Sequence, residues 1–274
     1  MNRRHFIAST SCFAAISALR PMSLAHAGGL IRLRNTKGAT LLSKALSEPN
    51  FWSGASVDKY QGELYDEIRL KPQTQGYFNM ITGEGREDFS HEQVVSTVFK
   101  HQNKLPRHMA GAKATPYIQR GHCQIVGADY VDMYFLGDFD FFYGEYIQRM
   151  YRIDLPDGRT ACAFERLFEH QVDGATWQKF NEVRQKTLDN VELRWGVFNS
   201  VVPLTEAFGM YLSEPGLKHT TRVTLIAKLR FGSESGFIAK IGSEIPFVLK
   251  AGMQSGFTAS VEIARAIKGG KYPI

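Results

Sequence analysis

Cysteine is scarce in this chain, three residues in 274, and none has the paired spacing of a zinc site or a disulfide framework. A nucleophile elbow, a His-Glu zinc pattern and a phosphate-cradling loop are also missing. "GEGRE" around Gly83 and Gly85 lacks the strand and helix context of a dinucleotide loop. Asp138 and Asp140 have no third ligand nearby, which makes a poor metal site. The eight histidines form no cluster, and lone ones such as His122 and His170 are structural or solvated as a rule. No catalytic residue, metal or cofactor is therefore expected. Beyond the first residues no stretch has the roughly 18 uninterrupted apolar residues of a membrane-spanning helix. What remains is an ordinary globular composition, 43% hydrophobic and 12% aromatic, ample for a sizeable core.

The first stretch, "MNRRHFIASTSCFAAISALRPMSLAHAGG", stands apart: Arg3 and Arg4 precede Phe6 and a mildly apolar run, and small residues end it at Ala27. It resembles a twin-arginine export signal; a general secretory signal is the alternative. Either implies a mature chain outside the bacterial cytoplasm, in the periplasm, with an export translocase as the precursor's partner. Setting aside that segment's arginines lowers the formal excess from +6 to about +3, too small to suggest a nucleic-acid partner. Cys12 leaves with the segment, so Cys123 and Cys162 remain. Export would permit them to pair, but both occupy apolar strand positions, which suits two buried free thiols better. The chain divides into an export signal (1–27), a lead-in segment (28–89) and a ligand-binding domain (90–274).

The lead-in mixes short apolar pieces with Gly, Ser, Asn and Pro49 and reads as irregular, with a helix around "ATLLSKALSE". "SHEQVVSTVFKHQNKLP" predicts a helix with a Ser90–Gln93 capping box and Pro106 as its stop. The period then falls to two. "CQIVGADYVDMYF" aligns Ile125, Val131, Met133 and Phe135. Pro156, Asp157 and Gly158 turn a hairpin within "GEYIQRMYRIDLPDGRTACAFERLFEH". "ELRWGVF" and "EAFGMYL" predict further strands. In "RVTLIAKLRF", Val223, Leu225, Ala227, Leu229 and Phe231 alternate with Arg222, Thr224, Lys228 and Arg230, predicting an antiparallel sheet covered on one side. "IPFVLKAGMQSGFTASVEIARAIK" predicts a long helix, with Ser243 as cap, Pro246 in its first turn and Arg265 and Lys268 near its end. Its apolar arc, about 180° wide, exceeds what surface docking needs. Gly252 and Gly256 lie in that arc. They permit either a close backbone approach or a trough holding something other than protein.

The hairpin "YIQRMYRIDLPDGRTACAFERL", the strand "RVTLIAKLRFG" and the closing helix, in that order, resemble the helix-grip fold of the START lipid-transfer domains and the polyketide cyclase and dehydrase-like proteins. The resemblance implies an α+β fold, a curved antiparallel sheet wrapped around a long C-terminal helix. It also implies a hydrophobic interior site for a lipid or similar small molecule, with transient membrane contact during exchange. It carries over no catalytic residue. The chain departs from the pattern in "GSESGFIAKIGSE" before the helix and in the segment before Ser90.

On that reading the cavity-facing helix positions are Leu249, Gly252, Met253, Gly256, Phe257 and Ser260; Met253 suits an irregular apolar guest as well as it fills a core gap. Arg149 and Arg166, each between apolar residues on a strand, either anchor a polar head group or pair with a carboxylate such as Glu165. The aromatic run around Phe139, Phe141 and Tyr143 suits a pocket lip or plain core. An enzyme of cyclase, dehydratase or esterase type would use Arg149, Arg166, Glu165 or His170, and a structural protein would need no ligand.

Overall fold

The final helix forms over Pro246–Lys268, with Pro246 in its first turn, where no amide donor is required, and Arg265 and Lys268 in its last. The computed structural model describes residues 31–60, 64–74, 76–84, 88–109, 112–138, 142–155, 158–191, 201–215, 221–232 and 245–274. The export segment, Ser243, "ELRWGVF", Phe139 to Phe141 and most of "GSESGFIAKIGSE" lie outside the described residues.

Helix α1 spans Thr36–Ser47, α2 His91–Phe99, α3 Leu105–His108, α4 Gly174–Asp189 and α5 the final helix. The strands are β1 (Ser56–Lys59), β2 (Glu67–Gln73), β3 (Gly76–Glu84), β4 (Ala112–Ala114), β5 (Tyr117–Cys123), β6 (Ala128–Asp138), β7 (Tyr143–Asp154), β8 (Thr160–Arg166), β9 (Val201–Pro215) and β10 (Thr221–Phe231). They make one ten-stranded sheet in the order β1-β2-β3-β10-β9-β8-β7-β6-β4, with β5 on β6. Pairing is antiparallel except where Tyr143 to Glu145 of β7 run beside Val201 to Pro203 of β9 in parallel. The α+β architecture expected from the sequence, a curved antiparallel sheet wrapped around the C-terminal helix, is what the chain adopts.

The sheet is covered on both faces, not one. On the inner face, Val95 and Val98 of α2 and Met253 and Phe257 of α5 pack against Ile81, Met150, Phe164 and Leu225. On the outer face, Leu42 of α1 meets Tyr151, Phe208, Met210 and Ile226, and Phe180 of α4 meets Tyr134 and Ile147. The polar residues of β10 were expected in solvent, but Thr224 and Lys228 are buried. Lys228 is neutralised there by Glu206 at 3.2 Å.

Polar clasps fix the outer helices. Glu165 accepts from the backbone N–H of Arg34 (3.0 Å) and Asn35 (2.7 Å) at the start of α1, and from the Tyr151 hydroxyl (2.7 Å). Glu145 takes a two-pronged bond from Arg184 of α4 (2.8 and 2.7 Å) and another from the Tyr134 hydroxyl (2.6 Å).

Further local expectations change. The lead-in is not merely irregular: β2 and β3 belong to it, and β3 pairs with β10, so the boundary at residue 89 falls inside one sheet. Pro106 does not stop α2, which ends at Phe99; it sits in the first turn of α3, where a missing amide hydrogen costs nothing. Ile125 is exposed in the β5–β6 turn instead of aligning with Val131, because Gly127 takes φ +68° and reverses the chain there. The Ser90–Gln93 capping box forms as expected. Cys123 and Cys162 are buried free thiols. Among the described residues no helix is long and apolar enough to cross a membrane.

Candidate functional site

Between the inner face, α2 and the second half of α5 lies a cavity of about 290 Å³. Val94, Thr97 and Val98 come from α2 because the capping box starts that helix at His91 and turns positions three and four apart toward the sheet. Phe257, Ser260, Val261 and Ala264 come from α5, and Gly83, Thr221 and Val223 from the facing strands. Leu64, Phe89 and Arg265 complete the lining, Arg265 being its one charged member among the described residues.

The wall is chemically quiet. Thr97 Oγ1 donates to the Gln93 carbonyl (2.8 Å), Thr221 Oγ1 to that of Phe89 (2.9 Å), and Ser260 Oγ to that of Gly256 (2.9 Å). Each hydroxyl hydrogen is thus spent on backbone, leaving a surface suited to apolar contact. Gly83 matters to its shape: a Cβ there would sit 2.3 Å from the Leu64 carbonyl oxygen and 2.8 Å from the Phe257 ring.

The residues picked out from sequence distribute unevenly. Phe257 and Ser260 line the cavity. Leu249 and Met253 are buried but are not among its lining residues, and Met253 packs into the inner core. Gly252 and Gly256 are half-buried, and a Cβ on either would meet nothing within 4 Å. Neither glycine is therefore explained by a close backbone approach.

Arg149 and Glu165 are cross-strand partners on the outer face, away from the cavity, because strand alternation turns them opposite to Met150 and Phe164. Arg149 is paired with Asp132 through two 2.7 Å bonds and lies 4.1 Å over the Tyr130 ring. Burial would lower its pKa, but the bonds and charge of Asp132 outweigh that and raise it. Arg166 stacks over Phe168 at 4.4 Å, and His170 stacks on the same ring. Neither lines the cavity.

Val94, Val98, Val223, Val261 and Ala264 also line the cavity without having been singled out as site residues, although the alternation of "RVTLIAKLRF" puts Val223 on the inward face. Sequence reasoning also missed a polar group behind Ser260. There the Tyr211 hydroxyl has its pKa raised by burial, with Ser260 and Gln102 pulling it partly back.

No protein-family model matches the sequence, and no curated protein matches it significantly. Solved structures do resemble it. A STAR-related lipid transfer protein from Xanthomonas axonopodis aligns over 77% of this chain and 99% of its own, with TM-score 0.53 and 12% identity. Human StAR-related lipid transfer protein 5 aligns over 86% of this chain and 97% of its own, with TM-score 0.52 and 10% identity. At such identities the likeness establishes the fold, a helix-grip architecture, and nothing finer.

Proposed function

We propose that the protein binds and carries a hydrophobic small molecule, such as a lipid, in the cavity between its sheet and C-terminal helix. The observation that carries this reading is the cavity itself, about 290 Å³ with a largely apolar lining between sheet and helices. Space of about 150 Å³ with aliphatic walls stays dry and admits benzene; this cavity has nearly twice that volume. The two solved structures cited above are named as lipid transfer proteins, which supports the same reading.

A carrier accounts for the geometry better than an enzyme. Arg149 and Glu165 are engaged on the opposite face, and the lining brings no acid–base pair to a guest among the described residues. The opening segment, with Arg3, Arg4, Phe6 and a cleavage site at Ala27, is part of the proposal. The precursor uses the twin-arginine translocase, and the mature carrier works in the periplasm, touching membrane transiently as it loads.

Titration with a neutral apolar fluorophore tests the carrier. Saturable binding of one probe per chain is expected, with loss of binding in Ala264→Phe, which fills the cavity, while the far-ultraviolet circular dichroism is kept. Wild-type protein that never takes up probe, and yields no extractable ligand from its own cell fraction, would end the proposal. Replacing Arg3 and Arg4 by lysine should leave uncleaved precursor inside the cell, as fractionation would show.

A further inference from the structure

The cavity-facing stripe of α5 changes character along its length. Phe257, Val261, Ala264 and Arg265 follow one another at helical spacing in the wall, and Lys268 continues the same stripe. Phe257 is buried, whereas Arg265 is exposed while still lining the cavity, so the cavity meets solvent at the Arg265 end. Lys268, also exposed, holds its ammonium 5.5 Å from the centre of the Phe89 ring, and Phe89 packs with Val94 and Ala264 at that same end. Two cations therefore flank the rim. The C-terminus of α5 brings roughly half a negative charge there, and Asp88 next to Phe89 is exposed. Glu262, on the same helix, is turned to His108 at 3.3 Å. The balance among these described residues stays positive.

Resting on the carrier reading, we infer that the guest is a single-chain amphiphile with an anionic head group, a carboxylate or phosphate, its tail toward Phe257 and its head at Arg265 and Lys268. A guanidinium has five N–H donors and an ammonium three, so bonds that either makes within the protein leave donors for a ligand oxygen. The head group rests at the exposed rim, where it keeps much of its water and costs little to place. Entry in the opposite sense would bury that charge against Phe257 and Val261, beside a Ser260 hydroxyl already donating to the Gly256 carbonyl. At about 290 Å³ the cavity lies at the small end of ligand sites, with room for one chain rather than the two of a bilayer lipid.

Displacement of a bound neutral fluorophore, N-phenyl-1-naphthylamine, from the purified protein decides the matter, using dodecanoate, dodecyl phosphate, 1-dodecanol and dodecyltrimethylammonium below their micelle concentrations. At low salt each anion is expected to displace the probe about tenfold more effectively than the alcohol, and the cation less effectively; the advantage of the anions should shrink at high salt. In Arg265→Gln with Lys268→Gln the anion-to-alcohol ratio should fall to about one. A wild-type ratio near one, a preference for the cation, or a ratio unmoved by the double substitution overturns the inference while leaving the carrier reading standing. A two-chain phosphatidate that displaces as well as dodecyl phosphate overturns the single chain. If the fluorophore itself does not bind, it is the carrier reading that fails. Should the double variant not fold, the wild-type ratios and their salt dependence still decide.

Discussion

Replacing Gly252 and Gly256 together by alanine should stabilise the protein. Both lie inside α5, neither has a positive φ, and a Cβ on either would meet no atom within 4 Å. Alanine in a helix interior is better than glycine by about 1 kcal/mol per site, because it restricts the unfolded chain more. With nothing to clash against, the pair should contribute about 2 kcal/mol, which in a domain of this size raises Tm by roughly 4–8 °C. Urea and thermal unfolding followed by circular dichroism would measure it. A fall in stability would mean that some other part of the chain fills the gap, and the reasoning would be refuted. Leucine at both positions extends the test. If ligand also occupies the space beside the glycines, Gly252→Leu with Gly256→Leu should fold and bind probe at least tenfold more weakly. Unchanged binding would confine the ligand to the cavity nearer Ser260.

Gly83→Ala should destabilise by about 1–3 kcal/mol and narrow the cavity, since the new methyl group would collide with the Leu64 carbonyl and push Phe257 inward; unaltered stability and probe affinity would contradict that. Asp132→Ala strands the buried Arg149 guanidinium, at an expected cost of about 3–5 kcal/mol in urea unfolding. A cost below about 1 kcal/mol would show that solvent reaches the site. Burial pushes the Cys162 thiol from its ordinary 9.0 to about 12. The unfolded chain ionises first, so this contribution to stability is intact below pH 9.0 and is lost as pH rises toward about 12. Alkylation of Cys162 at about pH 8 should accordingly require denaturant, and rapid reaction in the native state would refute its burial.

Periodicity and capping made α2, the β7–β8 hairpin, β10 and α5 legible in the sequence, because each carries a strong local signal. The rest was concealed for different physical reasons. In β2 the alternation of Ile68 and Leu70 with charged residues is short and runs into Pro72, so the strand signal lies in the pairing of β2 with β3, and of β3 with β10, rather than in the segments. Helix α4 buries only Phe180 completely, with Trp177, Val183 and Leu188 half-buried beside it, which makes a thin amphipathic stripe. The one-sided sheet failed because Lys228 and Thr224 look solvent-facing until Glu206 and the helices on the outer face supply what they need. The site was half visible. Phe257 and Ser260 follow from the arc of α5, whereas Leu64, Gly83 and Thr221 come from separate segments that only the folded chain joins.

The two-sided sheet gives this molecule a chassis separate from its hold. Phe208, Met210, Ile226 and Leu42 interlock on the face opposite the cavity, and Glu165 and Glu145 rivet the helices there. For the proposed carrier, emptying the hold would leave that assembly untouched, so departure of cargo would not require the protein to melt. The vacated shell would keep its shape and could be refilled.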